Sequence, residues 1–404
     1  PPHIIMDVLS TVLVVAGIVI ALAFNFSNGR NDAANTIATV VATHALSPRK
    51  AIIIASICCF LGPFVFSTAV AKTIGKGIVN PEFLSPLILF IGLCGAVVWV
   101  NICSHYGIPV SSSHSLVGGL LGVGLAAGGA AYIYWPTAEM FFGMLKFLGI
   151  GVVVGVLLGI LLAILCKDKI RSMALLGGVV GFVLALPVAM ITTGFQFSGL
   201  LAILLFICVS PVLGLIVSFL FTSVLTRILA RFSKHPMKLN KWFQRAQVLG
   251  SGFQAMSLGG NDAQNAMGMI FAILVSAGFL SSGSELPLWV ILASALAITL
   301  GILSGGWKVI KKLGSGITRI MPYQGFSAAV SGGAVLSFMT MFGVPVSTTH
   351  CAAGSVMGTG VTRGVGAVNW RTVRQMVTAW VITIPCAGIV SFIGYTVLSL
   401  IFGF

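Results

Sequence analysis

Twelve stretches of this 404-residue chain are long and apolar enough to cross a bilayer, and almost no charge interrupts them. They lie near 7–26, 50–71, 84–103, 109–130, 140–165, 173–191, 198–226, 247–280, 286–304, 323–342, 345–361 and 376–402. A helical span needs about 20 such residues. Barrel strands are shorter and alternate in character, which these runs do not. The eighth run is long and interrupted, and reads as one span or as two pieces. Charged residues make up only 7% of the chain, against about 25% in a soluble domain. Too few charges remain to build a water-facing exterior, so lipid is the expected solvent and the expected fold is all-α and polytopic, with about 12 transmembrane helices.

The net charge of +15 raises the question of nucleic acid, and its placement answers it. With connectors numbered by the span they follow, the odd ones hold eighteen of the twenty-two Lys and Arg, Arg49, Lys50, Lys167, Lys169 and Arg171 among them. The even connectors hold Lys72 and Lys76 alone. Such asymmetry is the signature of cytoplasmic loops. Charges scattered over short connectors form no surface for reading a nucleic acid. Both termini are then expected outside, in an integral protein of the cell (plasma) membrane. The run after Asp7 has no basic flank and reads as a first span, not a signal peptide. The eight cysteines lie in or beside apolar runs without CxxC spacing, as small packing residues do.

Two pairs of segments echo each other. Asn28-Gly29-Arg30-Asn31-Asp32-Ala33-Ala34-Asn35 is echoed by Gly259-Gly260-Asn261-Asp262-Ala263-Gln264-Asn265 at an offset of 230. Pro109-Val110-Ser111-Ser112-Ser113-His114 is echoed by Pro345-Val346-Ser347-Thr348-Thr349-His350 at an offset of 236. Matches in the same order at nearly one offset imply duplication. An odd number of spans separates the copies, so the halves are expected to be inverted repeats. The expected division is 1–226 and 246–404, joined by a basic cytoplasmic connector at 227–245.

Of the seven acids, only Asp32 and Asp262 sit within long apolar sequence. A charge at bilayer depth costs at least ~2.5–3.5 kcal/mol and usually faces a cavity and a partner. Asp32 with Asn35, and Asp262 with Asn265, are spaced to share one helix face. The adjacent glycines suit an unwound turn that bares carbonyls, giving broken helices at the midplane. Oxygen-rich turns of this kind suit a hard cation such as sodium. Pro109 and Pro345 suit a first helical turn. Ser111, Ser112, Ser113 and Ser347, Thr348, Thr349 would then bring hydroxyls to helix N-termini, which attract anions. One oxyanion between two such tips is expected. A protonated oxyanion such as phosphate donates to a carboxylate as sulfate does not near neutral pH. His114 and His350 are placed to donate to the anion, relay protons or orient the hydroxyls.

These motifs resemble the PiT family of inorganic phosphate transporters, whose duplicated signature is similar to Gly29-Arg30-Asn31-Asp32-Ala33-Ala34-Asn35-Thr36 and Gly259-Gly260-Asn261-Asp262-Ala263-Gln264-Asn265-Ala266. The resemblance covers most of the chain and departs from the family at Arg30 and Leu258. It implies symport of inorganic phosphate with sodium or protons by alternating access, in a homodimer, with sodium ions as coupling ions and no organic cofactor. It puts phosphate on Asp32, Asn35, Ser111, Ser112, Ser113, Asp262, Asn265, Ser347, Thr348 and Thr349. It puts sodium at Asn31, Asp32, Asn261 and Asp262. A proton-coupled phosphate or sulfate permease is the nearest alternative. A phosphate channel and an intramembrane aspartyl-type enzyme are further ones. Neighbours on a helix point about 100° apart, which disfavours Ser113 and His114 as a nucleophile–base pair; the Asp pair stays open to an aspartyl-type enzyme, but the expected protein is a transporter and not an enzyme.

Overall fold

A computed structural model describes residues 2–76, 83–133, 135–166, 170–194, 200–232 and 236–403. Glu82, Lys167, Asp168, Lys169 and Lys234 lie outside the described residues, as do the side chains of Asp7, Lys76, Cys166 and Lys312. The described chain forms the helices α1 (Pro2–Ala42), α2 (Pro48–Val65), α3 (Ala69–Lys76), α4 (Pro86–His105), α5 (Ser112–Gly128), α6 (Ala138–Cys166) and α7 (Ile170–Thr192). They are followed by α8 (Leu200–Phe232), α9 (Pro236–Ser276), α10 (Leu288–Ser304), α11 (Trp307–Gly316), α12 (Pro322–Met341), α13 (Thr348–Val361) and α14 (Trp370–Phe402).

Among the described residues the apolar stretches fall largely on helices, the second of them divided between α2 and α3. Eight of these helices (α1, α2, α4 to α8, and α14) are long and apolar enough to cross a membrane. The other four fall short for physical reasons. Helices α9 and α12 carry buried Gln, Asn, Ser and Thr side chains that lower their hydropathy. Helices α10 and α13 are only 17 and 14 residues long.

The structure settles one open reading, gives the connector its local form and corrects one expectation. Helix α9 runs unbroken for 41 residues, so the eighth stretch is one piece. The basic connector at 227–245 is mostly helical, because α8 extends to Phe232 and α9 starts at Pro236. Long basic side chains at helix ends reach the headgroup level without needing a loop. The Asn-Asp segments are not unwound either: α1 and α9 pass through them as continuous helix.

The motif glycines have another task. A Cβ on Gly29 would lie 2.1 Å from the Ile298 carbonyl oxygen, and one on Gly259 2.1 Å from that of Cys59. In return, a Cβ on Gly301 would meet the Phe26 oxygen at 2.1 Å, and one on Gly62 the Met256 oxygen at 2.3 Å. Small residues let helix backbones touch where lipid gives no hydrophobic drive for association. The breaks fall instead in the partner helices, between α2 and α3 and between α10 and α11.

The packing is crossed between the halves. Helix α1 packs along α10 and α11, and α9 packs along α2 and α3. The pair α4–α5 lies against α1 and α14; the pair α12–α13 lies against α9 and α8. The same glycine device recurs, with Gly118 against the Ile384 oxygen and Gly354 against the Pro211 oxygen. Helices α6 and α7 form a hairpin joined through Gly151, Gly155, Gly177 and Gly181, with Leu157, Leu158, Leu165 and Leu184 exposed as lipid-facing residues are.

Candidate functional site

Helices α5 and α13 begin alike. Each follows a turn closed by a positive-φ glycine, Gly107 (φ 66°) and Gly343 (φ 69°), a conformation that glycine adopts without a Cβ clash. Each then has a serine at its N-cap. Ser111 accepts from the His114 N–H and Ser347 from the His350 N–H, which satisfies one of the orphan donors at a helix start. This corrects the expected role of Pro109 and Pro345. They precede the cap in the extended approach, because the serines take the capping position. Ser112 and Ser113, and Thr348 and Thr349, thus occupy the first helical positions, with their hydroxyls beside the positive end of the helix dipole.

These two tips meet the middle of α1 and α9. Thr349 Oγ1 donates to Asp32 Oδ1 at 2.8 Å, and Asn35 Nδ2 donates to Thr349 Oγ1 at 3.1 Å. In the other direction, Asn265 Nδ2 donates to Ser113 Oγ at 3.4 Å. Thr348 Oγ1 lies 3.1 Å from Asp32 Oδ2 and 2.8 Å from Asp262 Oδ2. One hydroxyl therefore stands between both carboxylates. It has a single proton, so it fully serves only one of them at a time.

Both carboxylates are fully buried, and the donors that reach them among the described residues are neutral hydroxyls and an amide. Burying a charge costs several kcal/mol unless opposite charge and hydrogen bonds repay it. Two adjacent acids with so few donors call for a cation or a shared proton.

The structure brings together Asp32, Asn35, Asp262, Asn265, Ser113, Thr348 and Thr349. Ser112 is buried at the tip but has no bond to either carboxylate. The Ser111 and Ser347 hydroxyls are occupied as caps. Asn31 ties α1 to the α4–α5 turn: its Nδ2 donates to the Val110 oxygen at 2.8 Å, and its Oδ1 accepts from Ser104. Asn261 does the same job in the other half by donating to Thr340 Oγ1 at 2.9 Å. Behind the tips, the rings of His114 and His350 meet edge-on with centroids 4.5 Å apart, and Trp380 stacks on His350. Gln264 bonds the Ser67 oxygen and the Ala71 N–H across the α2–α3 break, which explains why it differs from its counterpart Ala34.

The profile of the phosphate transporter family matches residues 28–172 and 170–391. The chain belongs to that family. The transporter is 36% identical over 389 residues to a protein of Rhizobium meliloti (strain 1021) named "Probable low-affinity inorganic phosphate transporter", covering 96% of this chain and 97% of that one. It is 34% identical to a protein of the same description from Bacillus subtilis (strain 168), covering 98% and 100%. A solved structure titled "The sodium-dependent phosphate transporter" superposes with a TM-score of 0.68 at 26% identity, covering 96% of this chain and 100% of that one.

Sequence reading misses Asn25, Asn28, Ser104 and Thr340, all buried around the transporter's acidic pair. A signal is present. Asn25, Asn28, Asp32 and Asn35 follow a 3-4-3 spacing that puts them on one face of α1, but hydropathy averaged over a span hides such a stripe.

Proposed function

We propose that this integral membrane phosphate transporter is a cation-coupled symporter, with sodium as the favoured coupling ion, working by alternating access. In this reading the halves are inverted repeats. The reciprocal packing of α1 on α10 and α9 on α2, with matched glycine contacts, supports the relation. Phosphate sits between the tips of α5 and α13, on Asp32, Asn35, Asp262, Asn265, Ser113, Thr348 and Thr349, with Ser111, Ser112 and Ser347 shaping the tips. Sodium ions sit at Asp32 and Asp262, with Asn31 and Asn261 holding those turns of helix in place. Cations bind first, offset the two carboxylates, and make the cradle able to take an anion. One bundle then moves against the other.

The observation that carries this reading is the single Thr348 hydroxyl between two fully buried acids. Radiolabelled phosphate uptake into proteoliposomes, under imposed sodium or proton gradients and with sulfate as competitor, tests it. Asp32→Asn and Asp262→Asn should each abolish gradient-driven uptake while the protein stays folded. Normal coupled uptake in either variant would contradict the proposed site.

A further inference from the structure

The outer face of α14 carries a groove unlike the other lipid-facing hollows of the molecule. It holds about 530 Å³ and is lined by Trp370, Arg374, Val377, Thr378, Val381 and Ile382 among others. The hollow along α6 and α7 and the one between α7 and α8 have no charged residue among their described linings.

Helix length sets the depth of this groove. Helix α14 has 33 residues, about 50 Å at 1.5 Å per residue, and the hydrocarbon layer is about 30 Å thick. Even at a tilt of about 40°, one end stands among the headgroups. The far end finishes on Leu400, Ile401 and Phe402, and the near end holds Trp370, Arg371 and Arg374. The near end is therefore the one at the headgroups, where tryptophan gathers. Its indole is fixed there, because Trp370 Nε1 donates to the Val365 oxygen at 2.8 Å. From this mouth the groove runs past Val377 to Val381 and Ile382, all three exposed as lipid-facing chains are.

The protein leaves the cations at the mouth unused. Arg363, nearby in sequence, is occupied: it donates to Thr318 Oγ1 at 2.9 Å and to the Arg319 oxygen. Arg371 and Arg374 are exposed, and among the described residues neither guanidinium has a hydrogen bond or an acidic partner. The helix start is capped by Asn369, which accepts from the Thr372 N–H, so the charge on offer is that of the side chains. Cations at headgroup level above an apolar trench match a lipid with an anionic head.

We propose that this groove binds an anionic phospholipid, with its phosphate ester on Arg374 and Arg371 and one acyl chain along Val377, Val381 and Ile382. The site goes beyond phosphate transport and shares none of its residues. It still has a route to them. The inner face of α14 buries Trp380, next to Val381, and the Trp380 ring stacks on His350 behind the α13 tip with centroids 3.8 Å apart. A lipid that seats α14 also steadies that tip.

The test reconstitutes the purified protein in phosphatidylcholine with a rising fraction of brominated phosphatidylglycerol or brominated phosphatidylcholine, and reads tryptophan fluorescence. Subtracting Trp370→Phe isolates the Trp370 signal. Brominated phosphatidylglycerol should quench it at a mole fraction at least fivefold lower than brominated phosphatidylcholine. Arg374→Gln should lose about fivefold of this preference, as one basic side chain at the surface predicts. Val377→Phe, which fills the groove, should weaken quenching by both lipids. Arg231→Gln, at an exposed position on α8, should change nothing. Equal curves for the two lipids, or an unchanged preference in folded Arg374→Gln, would overturn the site. If Arg374→Gln does not fold, Arg371→Gln and Val377→Phe decide by the same reading. Relief of quenching by inorganic phosphate would reveal a plain anion site, and a Val381→Cys disulfide joining two copies would show the groove filled by protein; either would overturn the lipid. Phosphate uptake should be faster with phosphatidylglycerol than without it in the wild type, and the gain should shrink in Arg374→Gln. An equal gain in both would overturn the link to the α13 tip.

Discussion

Thr348→Val removes one oxygen and keeps the side-chain shape. In the wild type that oxygen lies 2.8 Å from Asp262 and 3.1 Å from Asp32, and it is fixed at the first turn of α13. A hydrogen bond to a charged group contributes about 1.5–3 kcal/mol. One hydroxyl donates one proton, so only one such bond is lost, and at 1.4 kcal/mol per decade the loss corresponds to roughly a 10- to 150-fold weaker apparent affinity. If Thr348 serves the bound anion and its cations, half-saturating phosphate should rise by that factor in proteoliposome uptake, and Thr348→Ser should restore it. Ser112 is the counterpart of Thr348 but bonds neither acid; Ser112→Ala should cost less than tenfold. A well-folded Thr348→Val protein with wild-type half-saturation would refute the reasoning. It would show that the hydroxyl only fills space between the acids.

Other outcomes follow from the same geometry. Gly29→Ala and Gly259→Ala each press a methyl group against a neighbouring backbone oxygen at 2.1 Å. Each should lower stability by about 1–3 kcal/mol through overpacking, seen as a lower inactivation temperature in detergent; an unchanged temperature would mean these helices separate freely. Ser111→Ala and Ser347→Ala remove a helix cap, at about 1 kcal/mol each. The loss should appear in thermal stability, and Ser→Thr or Ser→Asp at the same place should recover most of it. Gln264→Ala frees the break between α2 and α3 and should slow uptake; an unchanged uptake rate would show that the break needs no such tether.

Much of the site is legible in the sequence because charge is rare in this chain. Two acids in apolar runs, each three residues from an asparagine, stand out, and the structure joins both acids to the threonine tip of α13 and Asn265 to the serine tip of α5. The glycines mislead. Backbone freedom and lack of bulk look the same in sequence, and only the Ile298 and Cys59 carbonyl oxygens, which an added Cβ would meet at 2.1 Å, show that bulk decides it. The prolines stand two residues ahead of the cap rather than inside the first turn, because a following serine competes for the cap and wins. The crossed packing of α2 and α10 is not legible at all, since lipid-facing and helix-facing surfaces are equally apolar here. Asn25 and Asn28 are hidden for a related reason: four polar residues in a long apolar helix barely move its average.

The exchange of partners between α1 and α9 also bears on how the chain is completed. A nascent chain released up to α8 would hold α1 without α10 and α11, and so would present Gly29 and its neighbours to lipid with no backbone to meet. A second half made by itself would be equally short of α2 and α3. In the whole chain α9 meets α2 and α3 already made, and α10 and α11 then complete the packing of α1. Splitting the gene near residue 234 should therefore give two inert fragments that regain function only when made in the same membrane.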